Sequence, residues 1–212
     1  MKTRFVATAL AVSAFAVSGF GCQPAVVQPT ELVVYFDTDI PLGPRDASMP
    51  LGEDQLRDLS FAVECVTEPG DPPCVLNGRG SQILDAFGMR YDRATMGTAP
   101  PFYFVFSRPT MGVPRTLRVT ATARLGPSGS ETISVTGQGT TVDGETRVMT
   151  LALRNECRLL TCPSAMQTCG SGGGCGSIEQ PLQAWTGECA DVRIPGFMGR
   201  PCTENTFGSI QP

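Results

Sequence analysis

The stretch Arg-Thr-Leu-Arg-Val-Thr-Ala-Thr-Ala-Arg-Leu, residues 115–125, alternates without a break. Leu117, Val119, Ala121, Ala123 and Leu125 fall on one side, and Arg118, Thr120, Thr122 and Arg124 on the other. A strict period of two is a β-strand with one buried and one wet face. Gly126-Pro127-Ser128-Gly129 follows as a turn. Residues 131–142 resume the alternation, with Ile133 and Val135 inward and Thr132, Ser134 and Thr136 outward. Asp143-Gly144 is a two-residue hairpin signal, and residues 145–154 then set Met149, Leu151 and Leu153 on one face. The expectation is a three-stranded antiparallel meander, wet on one side.

Working outward toward the N-terminus, Pro-Phe-Tyr-Phe-Val-Phe (101–106) is the most aromatic stretch. It reads as a buried strand with Phe102, Phe104 and Phe106 on its core face, rather than as a ligand platform. Residues 81–91 carry Ile83, Phe87, Met89 and Tyr91 at even spacing, interrupted by Asp85. Asn77-Gly78 suits a tight turn. Residues 60–65 alternate through Phe61, Val63 and Cys65. Residues 40–58 read as a long loop, with a helical turn near residues 54–59. Glu-Leu-Val-Val-Tyr-Phe (31–36) is apolar on both faces, so that strand is central or sandwiched. Helical periodicity is absent, and 24 glycines and 18 prolines are spread as turn residues. The fold class is therefore all-β: an immunoglobulin-like antiparallel β-sandwich over residues 31–154, with a jelly-roll or small barrel as the alternative.

At Asn155 the hydrophobic period stops, and residues 155–212 form a cysteine-rich appendage. It holds Cys157, Cys162, Cys169, Cys175, Cys189 and Cys202 with little apolar material, so disulfides must hold it. Cys65 and Cys74 sit nine apart around a Pro/Gly turn and suit a local bridge. Six tail cysteines allow about 15 pairings, and the sequence leaves these open. Cys157-x4-Cys162 and Cys169-x5-Cys175 lack the tight spacing of zinc knuckles. Gly170 to Gly174 has neither a preceding strand nor a following Lys-Ser/Thr, so it is a flexible loop and no phosphate cradle.

The first residues explain why disulfides are expected at all. Lys2 and Arg4 precede an uncharged apolar run, residues 5–20, which ends in Gly19-Phe20-Gly21-Cys22. This is the layout of an export signal over residues 1–21, too short for a membrane helix of about 20 residues. The segment resembles a bacterial lipoprotein signal, in which small residues precede a modified cysteine. Gly19 stands where that pattern usually has Leu or another aliphatic residue. The resemblance implies lipid attachment at Cys22, and Gln23 implies sorting to the outer membrane. Residues 22–30, with two prolines, then form a tether. Nine cysteines less Cys22 leave an even number for bridging.

Two further segments carry a resemblance. Residues 31–39 run from a charged residue through an apolar strand to Thr38-Asp39. Leu151-Ala152-Leu153-Arg154 leads into Cys157, then Cys162, Thr168-Cys169 and a glycine-rich approach to Cys175. Together they resemble uncharacterised lipoproteins abundant in myxobacteria and related bacteria, in which a β-sandwich precedes a cysteine-rich tail. That resemblance implies a location and a build, and no activity.

Composition excludes more chemistry than it offers. There is no histidine, and the only lysine, Lys2, leaves with the signal. Ser–His–Asp, Cys–His, Ser–Lys and Schiff-base machinery are all excluded. The mature chain has 14 arginines against 20 acidic residues, a net of −6, which makes it a poor nucleic-acid ligand. Carboxylates remain. Asp37 and Asp39 at a strand end are two apart and can supply oxygen ligands to calcium, the alternative being ordinary turn chemistry. No cofactor is expected. The expectation for function is an envelope-anchored, non-catalytic module that binds a protein or a glycan. The alternatives are a structural envelope protein and a carboxylate-based hydrolase.

Overall fold

The computed structural model describes residues 30–44, 48–66, 69–70, 75–78, 81–84, 86–92, 100–108, 115–189, 192 and 202–204. The signal, Cys22, the tether up to residue 29, Cys74 and Asp85 lie outside them. The described residues form thirteen strands: β1 (Thr30–Thr38), β2 (Leu56–Val66), β3 (Val75–Gly78), β4 (Ser81–Leu84), β5 (Ala86–Asp92), β6 (Phe102–Arg108), β7 (Thr116–Leu125), β8 (Glu131–Thr140), β9 (Thr146–Leu153), β10 (Gln167–Cys169), β11 (Cys175–Ser177), β12 (Gln183–Ala184) and β13 (Thr203–Glu204). The only helical element among the described residues is a 3₁₀ turn, Asn155–Cys157.

Apart from β10 and β11, which pair only with each other, the strands build two sheets face to face. One runs β12-β9-β1-β6-β3-β4, with β13 also on β6, and the other β5-β2-β7-β8. Between them Leu32, Val34 and Phe36 of β1 and Phe102, Phe104 and Phe106 of β6 meet Leu59, Phe61 and Val63 of β2 and the alternating face of β7. Phe61 stands edge-on to Phe36 at 5.2 Å and to Phe104 at 5.0 Å, across the two layers. Each such buried ring contributes roughly 1.5–3 kcal/mol of transfer free energy. The opposite face of the β7–β8 pair is wet and laced by hydroxyl pairs: Thr116–Thr140 at 2.8 Å, Thr120–Thr136 at 3.0 Å and Thr122–Ser134 at 2.9 Å.

Several expectations need correction. The meander stops after two strands. β7 and β8 pair antiparallel, but β9 crosses to the other sheet and runs parallel to β1, Glu31 facing Thr146 and Thr38 facing Leu153. β9 is apolar on two faces: Met149, Leu151 and Leu153 enter the core, while Val148 and Ala152 are buried on the far side. A strand with one wet face would leave those two exposed. Asp143-Gly144 therefore turns between sheets. It is fastened to the start of β1, where the Thr30 hydroxyl accepts from the Gly144 N–H at 2.9 Å.

The helical turn expected near residues 54–59 is a tight turn closed by the Gln55 N–H donating to the Gly52 carbonyl, and strand β2 starts at Leu56. Leu56 and Leu59, three apart, both face inward because the register shifts between Leu56 and Asp58, a β-bulge. Asn77-Gly78 is no turn but lies in β3, where Gly78 pairs with Ser81. Residues 81–91 are two strands, and the chain changes sheets between Leu84 and Ala86.

The cysteine-rich segment is no rider on the sandwich. Its residues Ile178 to Gln180 bond the edge of β8, the Gln138 N–H donating to the Ile178 carbonyl at 2.6 Å and the Gln180 N–H to the Gln138 carbonyl at 2.9 Å. Gln183–Ala184 pairs with the edge of β9, and Thr203–Glu204 with β6. The segment thus straps both sheet edges on one flank, which protects strands that would otherwise invite edge pairing. Gly137 and Gly139 of β8 admit it: a Cβ at Gly139 would lie 2.5 Å from Leu182 Cδ2, and one at Gly137 2.8 Å from Gln180 Nε2. Cys189, Val192, Trp185 and Cys202 cover the outer face of β1, over Val33 and Tyr35.

Candidate functional site

The two ends of the sandwich differ. One end gathers Thr30, Arg115, the turn at Asp143 and the C-terminal end of β2. The other gathers the end of β1, the start of β2, the β7–β8 turn and the 3₁₀ turn. Arg115 and Thr141 close the first end, the Thr141 N–H donating to the Arg115 carbonyl at 2.9 Å.

At the second end lie the two predicted carboxylates. Asp37 is buried, and its Oδ1 accepts from the Thr38 N–H at 2.8 Å. Asp39 is a third exposed and is engaged: Oδ1 accepts from the Asn155 N–H at 2.7 Å and Oδ2 from Arg154 at 3.3 Å. Asp39 therefore ties the end of β1 to the start of the 3₁₀ turn. Thr38 reinforces the join by donating to the Leu153 carbonyl at 2.8 Å. Among the described residues, no group of three or more His, Cys, Asp or Glu stands where it can hold a metal ion.

The tail cysteines pair Cys157–Cys169, Cys162–Cys175 and Cys189–Cys202, with separations of 12, 13 and 13 residues. Cys65 is also disulfide-bonded. Three disulfides in the tail mark a chain suited to an oxidising, exported environment. Among the described residues, no helix is long and apolar enough to cross a membrane.

The first two bridges interlock around one turn. Arg158 clamps the base of that turn onto β8, donating from Nε to Glu131 Oε1 at 2.6 Å and from Nη2 to Oε2 at 2.5 Å. This bidentate pair holds the Glu131 carboxyl below its usual value, chiefly through the hydrogen bonds and then through the nearby charge. The next residue, Leu159, has φ 64° and is 95% exposed. A left-handed backbone costs an L-residue with a Cβ roughly 1–2 kcal/mol, and glycine is the residue that adopts it freely. Leu160 and Met166 beside it are also exposed. From Leu159 to Ile178 no residue carries a charge.

Between β8, β9 and the β10–β11 hairpin lies a cleft of about 180 Å³, lined by Val135, Thr150, Thr168, Ser171, Ser177 and Gln180 among others. It falls below the roughly 300 Å³ of a typical ligand pocket. Its polar side chains donate and accept hydrogen bonds, and no acidic or basic residue lines it.

Sequence reasoning reached Asp39 but not its use, and it missed Glu131, Arg158 and Leu159. A signal for the first pair existed: a charge opening β8 and another following Cys157. Leu159 had none, because leucine is an ordinary residue and its left-handed backbone is set by the turn around it. No family model, no curated protein and no solved structure matches this chain.

Proposed function

We propose that this protein is an exported lipoprotein of the cell envelope, held at the outer membrane by a lipid on Cys22, and that it acts as a non-catalytic binding module. One observation carries the reading: β1 opens at Thr30, while the β7–β8 turn, the 3₁₀ turn and the exposed apolar side chains Leu42, Leu159 and Leu160 lie toward its other end, Leu42 bridged to Leu56 and Leu159 next to the Arg158 that holds Glu131. Nine strand residues at about 3.3 Å each separate the two ends by roughly 30 Å. A tether of residues 22–30 then holds the domain by one end and presents the other. The uncharged cleft and the paired Asp39 favour binding over catalysis. A protein or a glycan of the envelope is the ligand class.

The test is mass spectrometry of the mature N-terminus with fractionation of Cys22→Ala. The expected result is a diacylglyceryl-modified Cys22 in the membrane fraction and release of the variant. An unmodified N-terminus beyond residue 22 would remove the anchor.

A further inference from the structure

We infer that the turn at Leu159 and Leu160 is a docking knob that seats in an apolar pocket of a protein partner. The inference rests on the binding-module reading and names its partner class. Among the described residues, nothing accounts for leucine at position 159. The side chain is 95% exposed, so the fold gains no burial from it, and its backbone at φ 64° is one that glycine would adopt without strain. Strain at an exposed, over-determined position is a mark of function.

The position is over-determined. Cys157 and Cys162, on either side, are bridged to Cys169 and Cys175. The Arg158 N–H donates to the Asn155 carbonyl at 3.0 Å and the Leu160 N–H to the Cys157 carbonyl at 3.1 Å. Arg158 is clamped to Glu131. The knob is presented in one fixed geometry, and preorganisation of this kind lowers the entropic cost of binding.

Three features select a protein over a lipid surface. The anchor-bearing segment joins at Thr30, at the opposite end, so the knob points away from the membrane that holds the chain. Residues 159–178 contain no Lys, Arg, Trp or Tyr, the side chains that bind membrane interfaces. The mature chain's net charge of −6 is repelled by anionic lipid. A fluid bilayer also has no need of a fixed side-chain geometry, whereas a pocket does. Since the knob is uncharged, its binding should change little with salt.

The experiment places a photo-crosslinking residue at 159, at 49 and at 142 in the full lipid-anchored protein within its own envelope. The captured protein is then purified and titrated with the full mature chain in detergent. Expected is a protein partner captured from 159 and not from 142, bound with salt-independent affinity. Leu159→Gly should weaken that binding tenfold or more, on the order of a hot-spot loss, while its Tm stays level or rises because glycine suits the backbone. An unchanged affinity for Leu159→Gly would overturn the inference. So would capture from 49 or 142 alone, which leaves the binding-module reading standing. Lipid adducts at 159, with phosphatidylethanolamine–phosphatidylglycerol vesicles floating the unlipidated Cys22→Ala chain but not Cys22→Ala with Leu159→Gly, would assign the knob to a membrane and overturn the inference. Capture of no protein from any of the three positions would bring down both readings.

Discussion

The paired sheets and the cysteine-rich strap solve the same problem by different means. In the sheets, Phe36, Phe61, Phe102, Phe104 and Phe106 are fully buried, and burial alone fixes the layers. Among its described residues, the strap buries Ile178 and Val192 with Cys157, Cys169 and Cys189. It is held by three short disulfide loops and by hydrogen bonds to sheet edges. A region held by burial cannot spare its leucines for solvent. A region held by covalent loops can, and Leu159, Leu160 and Met166 are exposed there. The contrast explains how one small domain carries both a dry aromatic core and an apolar surface turn.

The largest test of that contrast removes a core ring. Phe61→Ala strikes the residue that touches Phe36, Phe102 and Phe104 at 5.0 to 5.9 Å. It should cost about 3–5 kcal/mol in urea unfolding. A cost below about 1 kcal/mol would mean that the two layers do not depend on these rings.

The next test cuts the strap. Cys157→Ser with Cys169→Ser opens a loop spanning 12 residues, for a loss of about 3 kcal/mol by loop entropy. Its pattern matters more than its size. The Gln138 N–H, bonded to Ile178, should exchange faster, while amides of β1 paired with β6 stay protected. Uniform acceleration through β1 and β6 would show that the strap and the sheets are a single cooperative unit.

A smaller effect follows from filling a gap. Gly139→Ala drives a Cβ to 2.5 Å from Leu182 Cδ2, and overpacking of this kind costs about 1–3 kcal/mol. Leu182→Ala in the same chain should recover part of the loss, and a double-mutant cycle in denaturant measures it. Strict additivity would place Leu182 elsewhere than against β8.

What the sequence disclosed divides along the same line. Residues 115–125 are legible because one face is wet and the other dry, so the period of two is unbroken. The aromatic run 101–106 is legible because aromatic side chains on one strand face most often pack a core, and Phe102, Phe104 and Phe106 do. The partner of β9 is not legible. Pairing with β1 is a contact across 115 residues, such as Glu31 with Thr146, and the local Asp143-Gly144 turn favours a hairpin that does not form. The strand itself held the clue in Val148 and Ala152, which a one-sided strand would not bury. The bulge at Leu56 and Asp58 imitates a helical spacing for the same local reason. At the second end, Asp39 was legible as strand-end chemistry, but its partner Asn155 is again remote in sequence. The disulfide pattern and the backbone of Leu159 are products of three-dimensional closure and leave no local trace.

The gentlest way to sharpen the contrast is by pH at the joint between the two regions, Glu131 of β8 and Arg158 of the strap. The two hydrogen bonds from Arg158 lower the Glu131 pKa below its ordinary value of about 4.3. A carboxylate with a depressed folded pKa stabilises the folded state fully above its unfolded value. That contribution fades as pH falls through the lower folded value, because the unfolded chain takes up the proton first. Arg158 is raised, chiefly by its hydrogen bonds to Glu131 and also by the charge of Asp54, and stays charged throughout, so Glu131 is the member of the pair that titrates. Glu131→Gln should therefore melt below wild type near pH 6, with the gap closing toward about pH 3. The pair faces solvent, so the gap should also shrink in high salt. Arg158→Gln should show the same closing gap, since either substitution removes the same pair. A difference that persists undiminished at low pH would mean that Glu131 holds the strap by packing, and the clamp beneath Leu159 would then rest on the disulfides alone.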